Sequence, residues 1–358
     1  MARNKNTGGG TVVLATRFSA LGDVAMTIPA LYDACRANPH ATVVMLTRAS
    51  MAGLFINRPD NLVVEGVDLV DYKGPAGMWR LMGEMIDNHG ITVVADLHDV
   101  LRTKMLRLAA RLRGIPVFHI DKGRSEKKRL TRRARKVMLP LTHSIDRYRA
   151  TLAAAGLQAK PSFTGLFDET GVDPEVYRAI TPAKRPGEVW IGIAPFAKHE
   201  GKIYPLSLME QVIRELSGRT GTSVFLFGGG PYEKKILGEW ARKYPSTISL
   251  AGERHGFGVE LSLFHDLDVM ITMDSANMHM ASLAGAPVVA VWGATHPYCG
   301  FGGWQVPEQN NIQLPIPCRP CSVFGNKPCL TGDMRCLAGI RPTLITDRID
   351  AILASRNK

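Results

Sequence analysis

No stretch of this 358-residue sequence approaches the roughly 18 to 20 uninterrupted apolar residues that a bilayer span requires. The opening residues, Met1-Ala-Arg-Asn-Lys-Asn-Thr-Gly-Gly-Gly, lack the apolar core and cleavage site of a secretory signal. A soluble, cytoplasmic protein is therefore expected. Low-complexity segments and short repeats are missing as well, and the composition is not that of a disordered chain. The first strand-to-helix turn has no Gly-x-Gly-x-x-Gly, which argues against a nicotinamide-dependent oxidoreductase. Cysteine is scarce, six in all, and five of the six lie between Cys299 and Cys336. In a reducing compartment that clustering points to thiols or a metal before disulfides.

Acidic residues are the next shortage. Lys and Arg number 44 against 32 Asp and Glu, for a formal charge of +12. The excess is concentrated between Arg102 and Arg149, and most densely over residues 122–136. Such a run is either a solvated face or the footprint of an anionic partner. Aromatic side chains are absent from the dense stretch and no nucleic-acid motif accompanies it, so base stacking lacks a platform and no nucleic acid is expected. An anionic membrane surface or a phosphorylated glycolipid fits better.

What is present is enough apolar material for two cores: 45% of residues are apolar and 21% charged. Short β-branched runs alternate with amphipathic stretches, the pattern of parallel sheets wrapped by helices. Strands are expected over 11–17, 41–48, 61–69, 91–98 and 115–121, with helices at 78–89 and 101–112. A turn-rich segment, 166–187, containing Asp168-Glu-Thr-Gly-Val-Asp-Pro, reads as a linker. A second series follows, with strands over 189–196, 223–228, 248–251, 269–274 and 287–293, and helices at about 206–220, 233–243 and 278–284. The reading is thus α/β: a Rossmann-like domain over 1–165, a linker, a second over 188–340, and a closing helix within 341–358 that could pack back on the first domain. Doubly wound sheets bind ligands beyond the carboxyl ends of their strands, so the residues there are the candidates.

Arg17-Phe-Ser-Ala-Leu-Gly-Asp23 places a carboxylate after the first strand, either as a helix-capping residue or as a general base. Lys198-His-Glu-Gly-Lys202 puts two lysines in a polar loop after the first strand of the second half, suited to a diphosphate or simply solvated. Met273-Asp-Ser-Ala-Asn-Met-His279 opens a small-residue helix whose unpaired N–H groups suit phosphate, with Asp274 as a cap and His279 as an extra donor or a plain helix-surface residue. In Phe227-Gly-Gly-Gly-Pro-Tyr-Glu233 the carboxylate could hold ribose hydroxyls or favour the helix dipole. Cys318, Cys321, Cys329 and Cys336 could bind zinc or pack as small hydrophobes, and the second pair lacks the tight spacing of a zinc ribbon, so no metal is expected among the site residues.

Taken together, residues 17–31, Asp96-Leu-His-Asp-Val-Leu-Arg102, His143-Ser-Ile-Asp-Arg147, Lys202-Ile-Tyr-Pro205 and 273–279 resemble the ADP-heptose:lipopolysaccharide heptosyltransferases of glycosyltransferase family 9. The resemblance implies the GT-B fold, two Rossmann-like domains facing across a cleft, and transfer of heptose with inversion to a lipopolysaccharide-core or lipid A-type acceptor. It implies that Asp23 is the general base, that Lys202 neutralises the donor diphosphate, and that Asp274, Ser275, Ala276, Asn277 and His279 hold the phosphates. Lys198 and Glu233 would join the donor site. Ser19, Arg102, Lys127 and Lys128 would meet the acceptor, and the basic first domain would sit at the inner membrane. No cofactor is implied beyond the nucleotide sugar. The chain departs from the family in having Tyr204 where Trp is common and Ser275-Ala276 in place of Thr-Gly, changes that bear on the donor sugar. A different nucleotide-sugar transferase, an epimerase on the same fold, or a non-catalytic acidic-glycolipid-binding protein are the competing readings.

Overall fold

The computed structural model describes residues 10–167, 171–252 and 255–356, so Asp168 to Thr170 of the expected linker lie outside the described residues. The chain divides into two compact units. The first runs to Lys122 and resumes over Ser144–Thr164; the second comprises Gly123–His143 and everything from Gly165 onward.

In the first unit the strands are β1 (Val12–Thr16), β2 (Thr42–Arg48), β3 (Leu62–Val67), β4 (Val93–Asp96) and β5 (Val117–His119). They form one parallel sheet in the order β3-β2-β1-β4-β5. The apolar runs of the inner strands β1, β2 and β4 are largely buried on both faces, as parallel strands covered by helices must be, while the edge strands β3 and β5 are partly exposed. Helix Gly74–His89 begins with Pro75 in its first turn and stops at Gly90, whose φ of 67° is the left-handed conformation that glycine adopts freely. Its buried Met78, Leu81, Met82 and Met85 fall at helical spacing and pack on Leu14, Val44, Leu46 and Val94 of the sheet. Each such side chain contributes roughly 1.5–3 kcal/mol by leaving water.

Helices Thr27–Ala37 and Ser144–Ala154 close the other face. They are fastened by Asp33, fully buried, whose Oδ2 accepts from Arg149 Nε and Nη2 at 2.9 and 2.7 Å. Asp33 Oδ1 takes the N–H groups of Ser162 and Phe163, both at 2.7 Å.

The second unit holds β6 (Val189–Ala194), β7 (Thr222–Leu226), β8 (Thr247–Ser249), β9 (Val269–Met273), β10 (Val288–Val291) and β11 (Asn311–Ile312), in the parallel order β11-β10-β9-β6-β7-β8. Two-residue β11 is an edge strand of polar character that periodicity does not announce. Helix Leu206–Ser217 turns Met209, Val212, Ile213 and Leu216 onto the sheet. The closing helix, Pro342–Arg356, buries Ile345, Ile349 and Ile352 in this same core beside Leu206–Ser217. It therefore belongs to the second unit. The linker expectation is corrected. From 171 on it packs into the second unit, with buried Tyr177 edge-on to Trp190 at 6.0 Å and bonded to Asp266.

A second correction concerns the basic run. Residues 123–143, assigned to the first domain from sequence, cluster with the second unit. Lys127 stacks over Phe301 at 4.5 Å, Lys136 Nζ donates to the carbonyls of Pro317, Cys318 and Pro320, and His143 Nε2 meets Gly302 O at 2.9 Å.

Candidate functional site

Each sheet has one place where strand order reverses, and each holds a polar cluster there. In the first unit the reversal lies between β1 and β4, whose last residues Thr16 and Asp96 are register partners. Asp96 is wholly buried; its Oδ1 accepts from Thr16 Oγ1 and from the N–H groups of His98 and Asp99, while Arg107 Nε lies 3.2 Å from Oδ2. Arg107 also reaches Asp99 at 2.9 Å. This network fixes the loop after β4.

The loop after β1 is fixed against it by Arg17, 7% exposed, which donates to Leu97 O at 2.6 Å and lies beside the Tyr148 ring. Arg17 Nη2 then holds Asp23 Oδ2 at 2.9 Å. The same oxygen accepts the Ala20 N–H at 3.2 Å, so Asp23 does cap the short helix Leu21–Ala25. Capping does not exhaust it: the side chain is 30% exposed, the accessible carboxylate of an otherwise buried network.

His98 is 6% exposed, and burial, then Arg17 and Lys122, push it down to about 3. It is neutral at pH 7. Its Nδ1 accepts the Phe18 N–H at 3.3 Å, which leaves the proton on Nε2, 3.4 Å from Ser19 Oγ. Ser19 is thereby placed at the rim beside Asp23. Arg102 is exposed on helix Leu101–Arg111, outside this cluster.

In the second unit the reversal lies between β6 and β9, where Ala194 pairs with Thr272. Lys202, in the one-turn 3-10 helix Glu200–Lys202 after β6, sets its Nζ 2.8 Å from Asp274 Oδ2 after β9. The side chains are 15% and 4% exposed. Thr295 Oγ1, following β10, donates to the same carboxylate oxygen at 2.8 Å. Asp274 is thus the anchor of Lys202 rather than a ligand that faces outward.

Ser275 opens helix Ala276–Ala284, and Ser275, Ala276 and Asn277 are half-buried at its amino end, where the helix leaves N–H groups without internal partners. An ammonium and a helix amino terminus thus share one small region, which suits two or more phosphate oxygens. His279 is buried one turn further in.

The turn carrying Lys202 is clamped by glycines. A Cβ on Gly201 would come within 2.6 Å of Gly325 O, and one on Gly293 within 2.5 Å of Gly201 O. Gly325, at φ +73°, lets the Lys202 stem lie across it. The cysteine-rich segment closes this clamp through Arg319, 3% exposed, which bonds the carbonyls of Gly293, Leu314 and Thr295.

Lys198 is exposed. Glu233 Oε2 accepts the Gly229 N–H at 2.7 Å, so it caps its own helix, Gly230–Lys243. Tyr204 is completely buried with its hydroxyl on Ile340 O, a core position and not a pocket wall. Lys128 is exposed and, with Lys127, sits on the segment that clusters with the second unit. The six cysteines are unpaired. Cys318, Cys321, Cys329 and Cys336 line one small cavity, but among the described residues no three His, Cys, Asp or Glu stand close enough to hold a metal ion.

Comparison with known proteins now bears on these clusters. The model of glycosyltransferase family 9 (heptosyltransferase) matches residues 84–328. The chain is 25% identical over 325 residues to lipopolysaccharide heptosyltransferase 1 of Pseudomonas aeruginosa, covering 86% of this chain and 85% of that protein. Among solved structures it is similar to the glycosyl transferase family 9 protein of Veillonella parvula, at 17% identity and TM-score 0.74, over 96% of this chain and 98% of that one. It is also similar to the E. coli heptosyltransferase WaaC solved with ADP, at 15% identity and TM-score 0.65, over 96% and 100%.

Proposed function

Since the chain belongs to glycosyltransferase family 9 and is a glycosyltransferase, we propose that it moves heptose with inversion from ADP-heptose to a lipopolysaccharide-core acceptor. The names of its relatives, a lipopolysaccharide heptosyltransferase and a heptosyltransferase bound to ADP, support the substrate classes. The observation that carries the reading is the Lys202 ammonium, half-buried at a strand-order reversal next to the amino end of helix Ala276–Ala284.

In this reading the diphosphate of the donor lies on Ser275, Ala276 and Asn277 with Lys202 against it. As the bond from sugar to phosphate breaks, the pair of electrons stays on phosphate oxygen and negative charge grows there. A fixed ammonium and fixed N–H groups interact more strongly with that charge than with the ground state, which lowers the barrier. Asp23 takes the proton of the acceptor hydroxyl as its oxygen attacks the anomeric carbon; such a base contributes about 10² to 10⁴ in rate. Arg17 orients the carboxylate, and Ser19 and Arg102 lie on the acceptor side. The nucleotide sugar is the only small molecule that this chemistry requires. The reaction is assigned to the cytoplasm, at an anionic inner-membrane surface, where the acceptor is held; no helix among the described residues is long and apolar enough to cross a membrane.

A donor panel tests the assignment. Purified protein, a delipidated core oligosaccharide and ADP-heptose should give product of the opposite anomeric configuration, detected by mass spectrometry and NMR. Equal turnover with UDP-hexoses would sink the donor assignment, and conversion of the donor without an acceptor would favour an epimerase.

A further inference from the structure

The segment 123–143, which clusters with the second unit, includes a stretch, 131–139, that the transfer reaction does not use. From Arg124 to Leu139 it carries eight Lys and Arg against one acid, Glu126. Helix Arg124–Leu130 buries a single side chain, Leu130, and the following residues have no regular structure. They are nevertheless held: Val137 N–H bonds Arg129 O, Lys136 is tied to three carbonyls of the cysteine-rich segment, and Leu141 N–H bonds Tyr298 O at 3.0 Å.

The consequence of this tethering is that Val137, Met138 and Leu139 are fixed outward, 41%, 41% and 64% exposed. Three adjacent apolar side chains facing water gain nothing from folding that way. Beside them opens a cavity of about 310 Å³ whose lining includes Arg132, Arg133, Lys136, Lys327 and Leu330, with no carboxylate in its wall. Among the described residues no ion pair engages Arg132, Arg133 or Lys327. A basic hollow next to an outward apolar ridge matches one environment in both respects, the headgroup layer of an anionic bilayer.

We propose that residues 131–139 with Lys327 and Leu330 form the membrane-docking site, Arg132, Arg133 and Lys327 taking the phosphate of an acidic phospholipid and Val137, Met138 and Leu139 entering the interface. The site deepens the surface localisation offered above and rests on that part of it, not on the transferase chemistry. Charge gives the attraction and apolar insertion the depth, two signals of the kind that stable peripheral binding needs. A nucleic acid would find no ring to stack on over residues 122–136.

The experiment is co-sedimentation of the full chain with vesicles of phosphatidylglycerol and phosphatidylethanolamine, and with vesicles of phosphatidylcholine alone. Binding should be confined to the acidic vesicles and weaken as salt rises. Arg132→Gln with Arg133→Gln should reduce the partition coefficient about 25-fold, some five-fold per charge. Met138→Ser with Leu139→Ser should reduce it further while keeping the salt dependence, and both variants should keep the wild-type melting temperature and the wild-type turnover on a delipidated acceptor. Equal binding to neutral vesicles, or unchanged partition of both variants, overturns the proposal. Displacement from vesicles by millimolar inorganic phosphate would also overturn it, in favour of a small-anion site, and so would tighter binding to RNA than to acidic vesicles. Lost turnover of the wild-type protein on the soluble acceptor, with vesicle binding intact, would instead count against the transferase reading alone.

Discussion

Lys202→Met asks whether the half-buried ammonium serves the donor or merely the fold. The substitution leaves the Asp274 carboxylate, 4% exposed, with the Thr295 hydroxyl at 2.8 Å as its remaining side-chain partner in the site. Removing one member of a buried ion pair costs about 3–5 kcal/mol, because the other charge stays desolvated. In a unit of this size that corresponds to a fall of roughly 10 °C in melting temperature. The double variant Lys202→Met with Asp274→Asn removes both charges and should recover most of that loss, since an uncharged amide can still accept from Thr295.

Donor affinity behaves differently. A charge-assisted bond to phosphate contributes about 1.5–3 kcal/mol, so ADP should bind about 10- to 150-fold more weakly to the single variant. The double variant should bind ADP no better than the single, although its stability is restored. Calorimetric unfolding and titration with ADP read the two effects separately. Recovery of ADP affinity together with stability would refute the diphosphate role and leave Lys202 a structural residue.

Asp23→Asn should lower kcat by about 10² to 10⁴ while leaving ADP affinity unchanged, because the acceptor loses its base and the donor site keeps its residues; near-normal turnover in a coupled ADP-release assay would reject the base. His98, held near 3 in the folded state, takes up a proton on unfolding anywhere between that value and its ordinary 6.5. Its contribution is therefore full above about pH 6.5 and declines with acidification, reaching about 2 kcal/mol of lost stability by pH 5. His98→Gln should flatten that limb in urea titrations across pH, and an unchanged slope would show that the ring is not buried neutral. His296, lowered to about 4 by burial and by Arg319 and Lys136, acts in the same direction. Asp33→Ala should destabilise the first unit by about 3–5 kcal/mol, since it removes the buried acceptor of Arg149 Nε and Nη2 and of the N–H groups of Ser162 and Phe163; a small change in urea midpoint would contradict this.

Much of the architecture is legible in local pattern. Buried parallel strands such as Val-Met-Ile-Thr-Met at β9 are continuous apolar runs, and helix Gly74–His89 shows its spacing, its proline and its glycine. Less legible are helices such as Phe257–Asp266, covered by apolar residues on several sides, and Arg124–Leu130, with one buried residue and hence no period to read. The site shows the same division. Asp23, Lys202 and Asp274 stand out because they follow strands, which is a statement about sequence order. Arg17, Asp96, His98 and Thr295 matter through contacts 21 to 80 residues away along the chain. Glu233 shows how two roles share one sequence signal: in the first turn of its helix the carboxylate accepts the Gly229 N–H, which the helix dipole favours.

The central claim is that the second unit grips a nucleoside diphosphate through Lys202 and the start of helix Ala276–Ala284. A crystal structure of the protein with ADP tests it most directly. The account predicts the terminal phosphate within hydrogen-bond reach of Lys202 Nζ and of the N–H groups of Ser275, Ala276 and Asn277; ADP bound elsewhere, or its phosphates turned away from Lys202, would contradict it.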